Sequence, residues 1–352
     1  MDPAQRAALL GIKLRALIST GWGIDAGTLV PAPFQAGAAA VHAESSTLFV
    51  LVEAPTVDRD PMDTGAGEDA RPRPTRGWLG GALVIASRQQ CTQVHVMGDC
   101  LNGNDARRAL RSKIAVSLWS VSGRALRPID AVDYAASPLP PAAVLALEEQ
   151  IRAAGAVPVI DHGVLRAEVL GLEVARASVD PDTGEVWLEV GVGRHDRLAQ
   201  AMMHQGQDPT VALRSAVESI AAHRRHGAMS HPANQLALAR WLRQQVAARP
   251  SLAGLADDTV LIPVPGTEAP ELKRLSPALL FANSPDDAVL VACSVGVDLD
   301  AAIDAADTAT FVGAHRIVLC IPPGDDLPAL RTAAATVDVA VQVVVVPSDW
   351  AA

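Results

Sequence analysis

A strand–helix–strand–helix–strand pattern occurs twice in this chain, once toward each end, and it limits the folds open to it. The first copy reads LFVLVE (Leu48–Glu53), WLGGALVIASR (Trp78–Arg88), QVHVM (Gln93–Met97), NDARRALRS (Asn104–Ser112) and IAVSLWSV (Ile114–Val121). The second reads AVLVAC (Ala288–Cys293), LDAAIDAADTATF (Leu299–Phe311), HRIVLCI (His315–Ile321), LPALRTAAAT (Leu327–Thr336) and VQVVVV (Val341–Val346). Near-continuous apolar runs need cover on both faces, as in a parallel or mixed sheet flanked by helices. The intervening helices are long enough for right-handed crossovers. The expectation is an α/β chain in which two similar β-α-β-α-β layered units flank a middle module, each unit bringing an apolar sheet for the other to cover.

Ahead of the first copy, Leu10, Leu14 and Leu17 share one helical face, and Gly21 and Gly23 stop that helix. Residues 55–76 are rich in Pro, Gly and charge without an apolar period, and read as a flexible surface loop. AASPLPPAAV (Ala135–Val144) is a Pro-rich boundary. A helix bearing Val144, Leu147 and Ile151 follows, then two long strands, about Val164–Val179 and Glu185–Val192, joined by the hairpin turn Asp180-Pro181-Asp182-Thr183-Gly184. Asp196 caps a helix through Met203, and two more helices carry Leu213, Val217 and Ile220, and Leu238, Trp241, Leu242 and Val246. Pro250 to Pro285 reads as a second linker. The organisation expected is an N-terminal unit over 1–134, a middle β-hairpin and helical module over 142–250, and a C-terminal unit over 258–352.

Composition narrows the function classes. A formal charge of −10 and a pI near 5.3 disfavour general nucleic-acid binding, which needs clustered basic excess. Lysine occurs only at Lys13, Lys113 and Lys273. No apolar run approaches a membrane span, and the N-terminal residues are too charged for a signal sequence, so the expected location is cytoplasmic and away from membranes. Cys91, Cys100, Cys293 and Cys320 form no CxxC pair, and the last two sit in apolar strands where a buried free thiol is expected.

The middle module holds the residues most suited to a ligand. A register in which Val179 opposes Glu185 places Glu173 and Glu189 diagonally on one sheet face, about 7–8 Å apart. Two carboxylates so placed can bind a divalent metal or act as an acid–base pair; alternatively they belong to a solvated face with Arg176 or Arg194 nearby. Directly after the second strand, Gly191, Gly193, Arg194, His195 and Arg197 form a Gly-rich, basic entry to a helix, a candidate anion cradle, or a tight turn capped by Asp196. His223, His226 and His231 have zinc-chelating spacing, but Arg224 and Arg225 between them favour a plain basic helix end. No GxSxG elbow, P-loop, HExxH or dinucleotide fingerprint is present.

The element order of the doubled unit resembles the second half of the PD-(D/E)XK nuclease core. There an acidic residue, one variable position and a lysine on a strand support metal-dependent phosphodiester cleavage. The corresponding strand ends here read Val52-Glu53-Ala54-Pro55, an acid without lysine, and Val291-Ala292-Cys293-Ser294, with neither. The resemblance therefore implies non-catalytic versions of that frame. At GLEVARASVDPDTGEVWLEVGVGRHDR, HPANQLALARWLR and CSVGVDLD the chain also resembles a family of uncharacterised actinobacterial proteins, a resemblance that implies no activity or site residues. The function expected is a cytoplasmic, non-catalytic binding or assembly protein with a protein partner or small anionic ligand. The alternatives are a metal-dependent phosphodiesterase or nuclease, or an enzyme on a small anionic substrate, each centred on the middle module.

Overall fold

In the computed structural model, which describes residues 2–53, 74–203, 208–225, 227, 231–267, 272, 274–283 and 287–351, the first helix, α1 (Pro3–Trp22), runs through Gly21 and stops at left-handed Gly23. Three strands follow, β1 (Leu29–Ala32), β2 (Gly37–His42) and β3 (Thr47–Val52). Then come α2 (Trp78–Arg88), β4 (Gln93–Gly98), α3 (Gly103–Ala109), β5 (Ala115–Ser122) and β6 (Ala125–Pro128). The stripe Leu79, Ala82, Leu83 and Ala86 is buried, as its helical spacing requires. The sheet order is β1-β2-β3-β4-β5-β6. Strand β6 returns over a turn at Gly123 to pair with β5, where the sequence pattern indicates only the turn. Most of the segment read as a flexible loop, residues 54–73, lies outside the described residues.

The middle module begins with α4 (Ala142–Leu145) and α5 (Leu147–Ala153). Four antiparallel strands follow, β7 (Val157–Asp161), β8 (Val164–Val169), β9 (Leu172–Val179) and β10 (Val186–Val190). The expectation of one long strand over 164–179 is corrected to a hairpin. His162 and Gly163, and again Leu170 and Gly171, all have positive φ, the mirror-image two-residue turn that matches strand twist. Neither dipeptide has the Asn-Gly look of that turn, and β7 was missed for the same reason. Helices α6 (Gly193–Met203), α7 (Pro209–His223) and α8 (Leu238–Ala248) complete the module in sequence. One sheet face, with Leu165, Ala167, Val174, Leu188 and Val190, packs on Ile151, Leu213 and Val217.

The remaining chain forms β11 (Ile262–Val264), β12 (Ala278–Ala282), β13 (Val289–Cys293), α9 (Ala301–Val312), β14 (Arg316–Ile321), α10 (Pro328–Ala335) and β15 (Ala340–Val345). The stretch from Pro250 to Pro285 is thus no simple linker, because it supplies β11 and the interior strand β12. Pairing is antiparallel, antiparallel, parallel, parallel across β11 to β15, the sequence of pairings that also runs across β1 to β5.

Helices α2, α3, α9 and α10 lie between the two large sheets in one shared core, which joins Leu79, Leu83 and Val96 to Ile303, Leu319 and Leu330. At its rim the segments after α3 and α10 meet reciprocally: Lys113 N donates to Thr336 O at 2.7 Å, and Asp338 N donates to Arg111 O at 2.8 Å. Outside this core, α1 covers the far face of the first sheet. The far face of the second is covered by Trp241, Leu242 and Val246 of α8, with Trp350. Although α8 falls in the sequence interval assigned to the middle module, its apolar stripe thus completes the C-terminal core. The fold class is α/β.

Candidate functional site

The second face of the middle sheet is polar and largely enclosed. Arg166 and Glu168 on β8 point there, and so do Glu173 and Arg176 on β9 and Glu189 on β10. Glu173 and Arg176 differ by an odd number of positions and should face opposite ways. A bulge resolves this, because β9 spends two steps from Ala175 to Glu173 while β8 spends one from Ala167 to Glu168. The Asp180–Gly184 turn forms with Asp180 Oδ1 accepting from the Asp182 and Thr183 amides, but it sets Val179 opposite Val186, not Glu185. Glu189 therefore pairs with Arg176, and the diagonal Glu173–Glu189 arrangement is corrected by one residue.

Glu173 is buried and enclosed by arginines. Its Oε2 accepts from Arg166, and its Oε1 accepts from Arg176 Nε at 2.9 Å and Arg197 Nη1 at 3.1 Å. Burial works against ionisation of Glu173, but Arg166, Arg176, Arg240 and Arg197 outweigh it and hold the carboxyl below its usual range. Arg197 reaches on to Glu189, with 3.5 Å between Nε and Oε2. The two glutamates proposed to share a metal instead share this guanidinium. Beside them lies a second centre on buried Glu168, which meets Arg243, Arg240 and Gln244. Arg224 braces the chain there, donating to the carbonyls of Leu170, Ala233 and Ala237 and stacking 4.5 Å over the Trp241 ring. Burial, with Arg240 nearby, outweighs the pull of Glu168 and lowers its pKa to about 10.

The Gly191–Arg197 turn is tighter than its sequence indicates. Helix α6 starts at Gly193, ahead of the start expected near Asp196, and the Asp196 carboxylate accepts the Val192 amide at 2.7 Å. An internal anion thus already occupies part of the cradle expected for an external one. Gly191 has φ 137°, and a Cβ there would lie 2.7 Å from Arg197 N, so the turn needs glycine. Gly193, at φ 75°, is a second left-handed position. Arg194 and His195 are exposed. Arg197, expected to be exposed, is buried at 9% accessibility. His226 lies outside the described residues, while the His223 and His231 rings stack at 4.1 Å. Among the described residues, no group of three or more His, Cys, Asp or Glu is placed to hold a metal.

A second ionic layer, which sequence reasoning missed, joins Arg76 and the α3 arginines to the start and body of α9. Arg76 Nη2 is 2.6 Å from Asp298 and its Nη1 is 2.5 Å from Asp304. Arg108 meets Asp105, Asp300 and Asp304, and Arg107 meets Asp307. Burial opposes ionisation of Asp304, but Arg108 and Arg76 hold its pKa below normal. Asp300 accepts from Gly77 N at 2.9 Å and Gly80 N at 2.7 Å, so it closes the start of α2 from across the interface. The only local signal was DLDAAIDAAD, an amphipathic helix with aspartates on an otherwise apolar surface. At the strand ends compared with the nuclease motif, Glu53 accepts from Arg6 at 2.7 Å, while Cys293 and Ser294 are buried. No family model, curated protein or solved structure matches the chain.

Proposed function

We propose that this is a non-catalytic binding or assembly protein, working in the cytoplasm, whose end units keep a nuclease-like element order without the acid–lysine signature. One observation carries the reading. Each buried carboxylate among the described residues, Asp105, Asp161, Glu168, Glu173, Asp298, Asp300, Asp304 and Asp307, lies within ion-pair distance of an arginine. Hydrolytic sites on carboxylates need one that is open to metal or free to take a proton. Here an arginine stands where a metal would need to approach each carboxylate, burial raises the pKa of Asp298 and Asp307 in spite of their arginines, and most of these pairs join separate structural elements. The four buried free thiols suit a reducing compartment.

Binding is placed on the outer side of the middle module. There α6 and β10 expose Trp187, Leu198 and Met202, beside half-buried Arg176 and exposed Arg194. Trp, Met and Arg are residue types that protein interfaces favour. The exposed apolar side chains suit an apolar partner segment. A photo-crosslinker at Met202, activated in native cells, is expected to give discrete adducts that Trp187→Ala weakens. Turnover of a phosphodiester substrate with Mg²⁺ or Mn²⁺, lost in Glu189→Gln, would overturn the non-catalytic reading in favour of the metal-dependent alternative.

A further inference from the structure

Among the described residues the three sheets present six edge strands, and five of them are blunted. Pro31 interrupts β1, Pro128 closes β6, Pro158 lies in β7, Pro263 lies in β11 and Glu189 charges β10. Proline and charge are the usual protection of an edge against pairing. The sixth edge, β15, reads Ala340-Val341-Gln342-Val343-Val344-Val345, with no proline, no charge and Val345 exposed at 38%. Among the described residues nothing pairs with its outer side.

The first sheet indicates what such an edge accepts. Ala115 on β5 stands opposite the first residue of β4, as Ala340 on β15 stands opposite the first residue of β14. In β5 the outward-facing edge is filled by antiparallel β6, with Leu118 O accepting from Ile129 N at 2.9 Å. Counting from those matched alanines, Leu118 corresponds to Val343. The backbone direction of β15 agrees. Val346 N donates to Ile321 O at 2.9 Å, so Gln342 and Val344 also turn their backbone groups toward β14, leaving those of Val341, Val343 and Val345 outward. Where β5 continues into the turn to β6, β15 ends at Val345 ahead of Pro347, and Trp350 tucks beneath α8 against Trp241 at 5.7 Å. Among the described residues no strand of this chain fills that edge.

We propose that β15 pairs antiparallel with β15 of a second copy, joining two five-stranded sheets across a two-fold axis at Val343. The outward groups are self-complementary. Val341 faces the partner's Val345, Val343 faces its own counterpart, and each facing pair exchanges two backbone hydrogen bonds. Valine meets valine at each of these outward pairs, Gln342 faces the partner's Val344 between them, and no like charges are opposed. A slip of two residues toward the C-terminus would place Pro347, which has no N–H, in the ladder, so registers displaced in that direction are disfavoured. This interface is independent of the α6–β10 surface proposed for a partner, and either can fail without the other.

Sedimentation velocity on the full chain across the micromolar range tests it. The expected species is a dimer of twice 36.6 kDa that dissociates on dilution. Val345→Lys, at an exposed position, and Val343→Pro, which removes an outward N–H, are each expected to give a folded monomer, checked by circular dichroism. If Val343→Pro fails to fold, Val345→Lys decides alone. Hydrogen exchange should show the Val341, Val343 and Val345 amides protected in wild type and fast in Val345→Lys. A wild type that stays monomeric throughout, or a dimer that survives Val345→Lys with those amides unprotected, overturns the proposal.

Discussion

Asp300→Ala should cost more stability than any helix cap on a free surface. Its carboxylate is 1% exposed, accepts the Gly77 and Gly80 amides, and lies 3.3 Å from Arg108 Nη2. Water has no easy way in, since a Cβ on Gly80 would already stand 2.0 Å from the Leu299 carbonyl oxygen. Alanine therefore strands the buried Gly80 donor, at about 1–3 kcal/mol, and the half-buried Gly77 donor at the lower end of that range. Arg108 keeps Asp304 and Asp105, so its loss stays below the roughly 3–5 kcal/mol of a fully broken buried pair. The combined effect should be on the order of 3–5 kcal/mol, with Asp300→Asn, which retains one acceptor, near half of it. Urea unfolding followed by circular dichroism and tryptophan fluorescence gives the midpoint and slope. A loss below about 1 kcal/mol at unchanged slope would refute the interlocking of α9 with the start of α2.

Arg197→Ala should destabilise by about 2 kcal/mol, because Glu173 keeps two arginines but loses the third inside the protein; an unchanged midpoint in urea would return Arg197 to the surface. Gly171→Ala should be severe, since the added Cβ would lie 2.2 Å from the Arg240 carbonyl carbon, while Gly254→Ala, at φ 68° with open space around it, should lose only about 1 kcal/mol of conformational strain. Similar melting temperatures for the two alanine variants would contradict the close approach of α8 to that turn. His95 accepts from Trp119 Nε1 at 3.2 Å among the rings of Trp22 and Phe49, and burial lowers its pKa to about 4. A depressed histidine stabilises the folded state above the unfolded value near 6.5, and that contribution is lost as pH falls toward 4. Thermal melts of wild type should therefore decline more steeply between those pH values than melts of His95→Gln, and parallel curves would count against it.

Much of the frame was legible in the sequence because buried parallel strands and their covering helices carry a strong apolar signal. The α2 stripe and the strands containing Val291, Val318 and Val343 stand where their patterns indicate. What escaped was set by backbone geometry or by distant partners. The His162-Gly163 and Leu170-Gly171 turns rely on non-glycine residues in left-handed conformations, so β7 and the break within 164–179 left little trace. The bulge between β8 and β9 brings Glu173 onto the face of Arg176, and a one-residue difference in the hairpin register decides which residue Glu189 meets. Arg197 looked like a surface residue because the carboxylate it neutralises lies 24 positions away in sequence. Arg76 and Arg108 pair with aspartates roughly two hundred residues on, beyond the reach of any local pattern.

The non-catalytic reading is tested most directly by the thermal stability of the full chain titrated with Mg²⁺ and Mn²⁺. A site that binds metal in the folded state alone stabilises it by about 2.7 kcal/mol at a hundredfold excess over the dissociation constant. With Glu173 held by Arg166, Arg176 and Arg197, and Glu189 drawn to Arg197, the expected result is a melting temperature independent of either metal. A saturable rise in melting temperature that Glu189→Gln abolishes would contradict the account and return the middle module to metal-dependent chemistry.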